Sequence, residues 1–201
     1  MLINTLKCLC ALPGVSSRED AVRDYIRAQV TPYANSVHVD VMGNLIVEKK
    51  GRVPGNKKLM LAAHMDEVGL MVHHITDDGY LRFTCVGGID RRVLIGKRVL
   101  VGEQKLPGVL GLKAYPQTSP EEEKKVPKLK DFYIDIGAKD KMDAEAYVSP
   151  GDVIVFDSDI VEFGYGLIKA KAIDDRIGCA VMVELLKEEL PVDCTFLVSV
   201  Q

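Results

Sequence analysis

Two short runs, KLMLAAH at 58–64 and CTFLVSV at 194–200, are apolar at nearly every position. A strand with one wet face alternates apolar and polar residues. Near-continuous runs of this kind fit strands covered on both faces, as in α/β sheets flanked by helices. Helical periodicity stands close by. DDRIGCAVMVELLKEEL at 174–190 reads as an amphipathic helix leading into the second run, with two aspartates at the positive end of its dipole. Near the start, Leu2, Ile3, Leu6 and Leu9 have helical spacing up to a stop at Pro13-Gly14. A second helix is expected from Ser16, because Ser16 and Glu19 have capping-box spacing and Ala21, Val22, Tyr25, Ile26 and Val30 form one face. Residues 37–48 read as a hairpin around Gly43-Asn44, and 69–75 as a further strand ending at Asp77-Asp78-Gly79. The expected fold class is α/β: a sheet with flanking helices, residues 58–64 a buried central strand within it.

Between about 79 and 165 the texture changes. Short β-type runs (YLRFTCV, KRVLVG, GVLGL, DFYIDI, DVIVFD) alternate with Gly, Pro and Asp, and helical spacing returns only in a short stretch near 140–147. This predicts a small β-rich barrel or sandwich inserted into the α/β domain. The expected division is 1–75 with 166–201 for the α/β domain and 76–165 for the insert. Thr118 to Lys130, with the run Glu121-Glu122-Glu123-Lys124-Lys125, reads as a solvated loop.

Composition removes several classes. The chain has 201 residues, 47% hydrophobic and 27% charged, which excludes wholesale disorder and fibrous repeats. A net charge of −3 without a basic tail argues against a nucleic-acid partner. No apolar run is long enough to span a bilayer. Lys7 interrupts the apolar N-terminal stretch, so a secretion signal is not expected. The five cysteines (8, 10, 85, 179, 194) are dispersed without a CxxC pair, as in reduced cytoplasmic proteins.

Chemistry concentrates in two places. His64-Met65-Asp66 closes an apolar strand, where α/β folds set their reactive groups. Residues i and i+2 of an extended segment point the same way, so Asp66 can lie beside His64, fix its tautomer and strengthen it as a metal ligand. Asp174-Asp175-Arg176 opens a helix; its carboxylates can offer hard oxygen ligands, and Arg176 can orient the second of them. Each motif alone is also compatible with a structural role: a surface pair for the first, a helix cap with a salt bridge for the second. His73 and His74 diverge on a strand and cannot chelate together, and His38 reads as an exposed strand position. Gly87-Gly88 lacks the context of a dinucleotide loop, no GxSxG elbow exists, and no cysteine has a local activating partner.

Six ordered segments taken together are far more specific. LKCLCALPGVSSREDAVRDYI, DVMGNLIVEK, LMLAAHMDEVGLMVHHI, VGGIDRRVLIGKRVLV, DFYIDIGAKDKMDAEAYVSPGDVIVF and KAIDDRIGCAVMVELLK resemble the M42 metallo-aminopeptidases in family order across essentially the whole chain. That family includes glutamyl, leucyl and deblocking aminopeptidases and the tetrahedral TET peptidases, and some members carry endoglucanase labels. The resemblance implies a zinc-exopeptidase-like sheet with an inserted barrel, peptide substrates, and two divalent metals, zinc or cobalt, bridged by a carboxylate and a water. By match, His64 is a metal ligand, Asp174 the bridging ligand, and Asp66 the catalytic-site residue that supports His64. Asp175 and Arg176 share the motif without an assigned role. The insert is implied to build dimers within larger homo-oligomers.

One departure accompanies the match. In the family, the strand ending in a Val-Gln-like sequence runs into Glu-Glu, a general base followed by a metal ligand, and another aspartate and a histidine follow later. The present sequence stops at Gln201. On the resemblance, the base and three ligands lie beyond it, so the isolated chain is expected to bind metal weakly and to be inactive. The last strand is expected to be left with an open apolar edge, to be covered by a missing C-terminal portion or by an oligomer. A non-catalytic homologue acting as an assembly module is the alternative. A glycan hydrolase is less favoured, because adjacent Asp174 and Asp175 give no sign of carboxylates set across a sugar bond.

Overall fold

A computed structural model describes residues 1–200 apart from 54, 56 and 57. Contacts divide the chain into two units, one formed by Met1–Glu67 with Asp159–Gln201 and the other by Val68–Ser158. Gln201 itself, the end point of the expected last strand, lies outside the described residues.

The first unit is the α/β one. Helix α1 (Leu2–Ala11) buries Leu6, Leu9 and Cys10, and helix α2 (Asp20–Val30) buries Val22, Ile26 and Val30 at the i, i+4, i+8 spacing of one helical stripe. Strands β1 (Ser36–Val39) and β2 (Leu45–Lys49) form the hairpin. Its connection is held by Asp40, whose carboxylate accepts the Met42 and Asn44 N–H groups, and Gly43 adopts φ +100°, a conformation open to glycine. Strand β3 (Lys58–His64) follows. After the second unit come the hairpin strands β10 (Val161–Phe163) and β11 (Leu167–Lys169), helix α5 (Ile173–Lys187) and strand β12 (Asp193–Ser199). The sheet order is β1-β2-β12-β3, with β12 antiparallel to β2 and parallel to β3. Phe196, Leu45, Val47, Cys179 and Val183 are among the residues of its single core.

Three expectations change here. β12 is paired on both sides, so the last strand has no open edge. The sheet's edges are β1 and β3, and β3 has no second partner among the described residues. β3 is therefore an edge strand rather than a covered central one, and Leu59 and Met60 stand 51% and 60% exposed. The periodicity of a strand reports its faces; its place in the sheet depends on which remote segment pairs with it. The Ser16–Glu19 capping box does not form either. Helix α2 begins at Asp20, without a side-chain cap, and the Ser16 hydroxyl donates to Asp66 instead.

The second unit holds β4 (Gly69–Ile75), β5 (Leu81–Val86), β6 (Arg98–Val101), β7 (Leu106–Gly111), the short helix α3 (Pro120–Glu123), β8 (Tyr133–Asp135), α4 (Lys141–Glu145) and β9 (Val153–Phe156). Its six strands close a barrel in the order β4-β5-β8-β7-β6-β9, every pair antiparallel. Leu70, Val72, Leu81, Phe83, Leu110, Ile134 and Ile154 fill its interior. Strand β4 belongs to this barrel because it pairs with β5 and β9. The unit therefore begins at Val68, not at 76, and ends at Ser158, not at 165. Residues 120–123 are helical rather than loop, with Pro120 at the first helical position, where its missing N–H costs nothing.

Candidate metal centre

His64 is the last residue of β3, and Asp66 follows it on the turn leaving the sheet. Both side chains lie on one side. The Asp66 carboxylate is 2.8 Å from His64 Nδ1 through Oδ1 and accepts the Ser16 hydroxyl at 2.8 Å through Oδ2. A carboxylate can only accept, so Nδ1 donates to Asp66 and Nε2 is left to face a second partner. Asp66 is buried, with 9% of its side chain exposed, whereas the His64 ring is 38% exposed.

Asp174 meets Nε2 from a remote part of the chain. Its Oδ1 lies 3.2 Å from His64 Nε2, and its side chain is 96% exposed. A contact this open to solvent adds little to stability. Asp174 stands there because the backbone departs from helix before α5 proper begins. Asp174 and Asp175 have φ/ψ of −85°/112° and −118°/37°, and the peptide bond between them is cis. Asp175 turns away and accepts the Gly178 N–H, capping the helix. Arg176 does not orient the second carboxylate as the sequence suggested. Its guanidinium is fully buried and donates to the Leu9, Leu12 and Met65 carbonyls at 2.7, 2.5 and 3.1 Å.

A cluster that sequence reasoning left without a role lies directly beneath. Glu67, buried, receives Lys171 Nζ on both oxygens at 2.6 and 2.8 Å, with Arg176 Nη2 at 3.4 Å and the Gly14 N–H at 3.0 Å. Burial holds the Lys171 ammonium below its ordinary pKa, against the opposing pull of Glu67. Cys179, on the first full turn of α5, donates its thiol to the His64 carbonyl at 3.3 Å, and burial pushes it up to about 12. It is a structural thiol. In the sequence Glu67 sits beside Asp66, and Lys171 between Lys169 and Asp174, so neither stood out.

His38, His73 and His74 are exposed, and the register of β4 shifts between Val72 and His74. Cys10, Cys179 and Cys194 are buried, and all five cysteines are free thiols.

The ligand pair can be tested against a metal. Bonds of about 2.0–2.1 Å to nitrogen and oxygen in a tetrahedral zinc site separate neighbouring ligand atoms by about 3.3 Å. The 3.2 Å between His64 Nε2 and Asp174 Oδ1 fits a shared divalent ion. Among the described residues no group of three or more His, Cys, Asp or Glu gathers around one point. His64 and Asp174 stand as a pair, without a third such residue gathered with them around one point among the described residues. No helix among the described residues is long and apolar enough to cross a membrane.

The first unit is a mixed sheet with flanking helices, the second an antiparallel barrel inserted in its sequence, and at the end of β3 a His-x-Asp pair faces an aspartate. The family model for M42 glutamyl aminopeptidase matches residues 43–201, and the chain belongs to that family. The glutamyl aminopeptidase of Lactococcus lactis is 30% identical over 210 residues, covering 100% of this chain and 59% of that protein. An aminopeptidase from the archaeon Desulfurococcus kamchatkensis superposes with a TM-score of 0.90 at 38% identity, covering 100% of this chain and 56% of the other. The TET1 peptidase of Pyrococcus horikoshii, described as assembling into a tetrahedron or a large octahedral shell, gives a TM-score of 0.86 at 37% identity, with 100% and 61% covered. The chain spans about half the length of the curated relatives it matches.

Proposed function

We propose that this chain supplies the N-terminal portion of a dinuclear-metal aminopeptidase that removes N-terminal residues from peptides. The observation that carries the reading is the line Ser16–Asp66–His64–Asp174, in which a buried carboxylate fixes the imidazole and its second ring nitrogen faces an exposed carboxylate at 3.2 Å. His64 and Asp174 would hold metal, Asp174 as the bridging ligand. When bound, a zinc or cobalt pair would polarise the scissile carbonyl and acidify a water. The chain's own residues have narrower tasks. His64 offers Nε2. Asp66 keeps the Nδ1 proton in place and strengthens the ligand. Ser16 holds Asp66 by its second oxygen.

Two side-chain ligands are fewer than the three or four of a tight zinc site. The isolated chain therefore binds metal weakly and has little or no activity by itself. The barrel unit exposes Val93, Ile95, Val109 and Met142, which suits a role in homo-oligomer assembly of the kind described for the TET peptidases. The test is hydrolysis of aminoacyl-p-nitroanilides by the purified chain with zinc or cobalt, beside a His64→Ala control. No turnover, with loss of the metal on dialysis, is the expected result. About two zinc ions retained per chain, or metal-dependent activity that the control abolishes, would show that the remaining ligands are supplied from elsewhere and that the chain is not inactive.

A further inference from the structure

Glu67 is the only carboxylate among the described residues bonded by both Lys171 and Arg176, and everything it touches leads back to the ligand pair. It joins three remote segments. The first is the exit of α1, where Gly14 N–H donates to the Glu67 side chain at 3.0 Å and the Gly14 carbonyl accepts the Glu67 N–H at 2.8 Å. The second is the strand end itself, since Glu67 lies three residues beyond His64. The third is the entry to α5, where Lys171 and Arg176 bracket Asp174 from both sides. Both cations also hold the first segment: Lys171 donates to the Leu12 carbonyl at 2.9 Å, and Arg176 to those of Leu9 and Leu12. Arg176 further grips the Met65 carbonyl, between His64 and Asp66.

The bracketed stretch needs such anchoring. Ala172 sits at φ +56°, a conformation that residues with a Cβ rarely adopt, and Asp174 and Asp175 are non-helical. Local propensity does not hold Asp174 where it stands. There is also no slack at the centre. A Cβ on Gly14 would lie 2.7 Å from Arg176 Nη2 and 2.9 Å from Val22 Cγ2. Burying two cations and one anion is a poor way to gain stability, since well-packed apolar residues do as well or better. What the cluster supplies is geometry.

We propose that Glu67 is a positioning residue for the metal centre, holding His64 and Asp174 at ligand separation through Lys171 and Arg176. The inference rests on the metal reading given above. Outer partners of metal ligands typically carry a 10–100-fold share of the affinity.

The experiment titrates Zn²⁺ into the full 201-residue chain and follows the imidazole nitrogen signals by NMR. The His64 signal is assigned by its loss in His64→Ala. Glu67→Gln keeps the shape and the acceptor for Gly14 but removes the charge. It is expected to fold, to keep the Nδ1-protonated tautomer of His64, and to bind Zn²⁺ at least tenfold more weakly. Affinity within twofold of the parent, with binding abolished by His64→Ala, overturns the inference and leaves the metal reading standing. Binding that survives His64→Ala removes the metal reading and the inference with it. Should Glu67→Gln not fold, Lys171→Met carries the test: Arg176 and Gly14 still hold Glu67, and a loss of threefold or more is expected. Unchanged affinity in that variant overturns the proposal.

Discussion

Replacing Arg176 with methionine isolates the structural share of the buried cluster. The side chain is fully buried, and methionine fills a comparable length without a donor. Three carbonyls, those of Leu9, Leu12 and Met65, lose a charged partner. Hydrogen bonds to charged groups contribute about 1.5–3 kcal/mol each, so three bonds set an upper range of about 4.5–9 kcal/mol. The guanidinium no longer has to be desolvated, which offsets part of that loss, and Glu67 keeps Lys171. Breaking a buried ion pair from one side typically costs about 3–5 kcal/mol, and we expect Arg176→Met to fall there. For a chain of this size, about 2–4 °C of Tm per kcal/mol gives a drop of about 6–20 °C. Calorimetry at pH 7, with urea unfolding to check that the slope is unchanged, measures it. Arg176→Lys keeps the charge but cannot fork to three carbonyls, and should lie between the two. A loss below about 1 kcal/mol for Arg176→Met would refute the argument that this guanidinium ties the exit of α1 to the strand end.

Phe196, at the centre of β12 and fully buried, should cost about 3–5 kcal/mol as Phe196→Ala in urea unfolding; less than about 1.5 would mean that the core collapses around the gap. Cys179 gives a pH signature. Its thiol titrates near 9.0 when free and at about 12 in the folded chain, so the folded state keeps the proton longer. Stability is level below pH 9 and declines between pH 9 and 12 by about 1.4 kcal/mol per pH unit from this group. Cys179→Ala should remove that part of the alkaline slope, and an unchanged slope between pH 9 and 11 would count against the assignment. Met60→Lys on the open edge of β3 should lower self-association in sedimentation velocity, because a lysine on an edge strand disfavours further pairing. Equal association in both proteins would mean that copies meet elsewhere.

Local chemistry was legible wherever a single element decided the outcome. The apolar stripes of α1 and α2, the hairpin around Gly43-Asn44 and the run of short strands in the insert all follow from periodicity and turn residues a few positions apart. So does the pairing of Asp66 with His64, two residues away on extended backbone. Family resemblance added the partnership of His64 with Asp174, which spacing alone left open.

Relations between distant segments were not legible. Ser16 looked like a helix cap by its spacing to Glu19, yet its hydroxyl went to Asp66, fifty residues on. Strand β3 looked covered on both faces, and became an edge because β12 took one flank and no described strand took the other. Strand β4 read as part of the α/β domain until its partners placed it in the barrel. Glu67, Lys171 and Arg176 lie among other charged residues in the sequence, and their joint role needs three segments brought to one point. The sequence by itself determined where most of the helices and strands form, because those choices turn on neighbours within a turn or a pleat. Only the tertiary structure decided who pairs with whom, because a hydrogen-bond donor or a strand edge is claimed by whichever remote group the closed chain brings within about 3 Å.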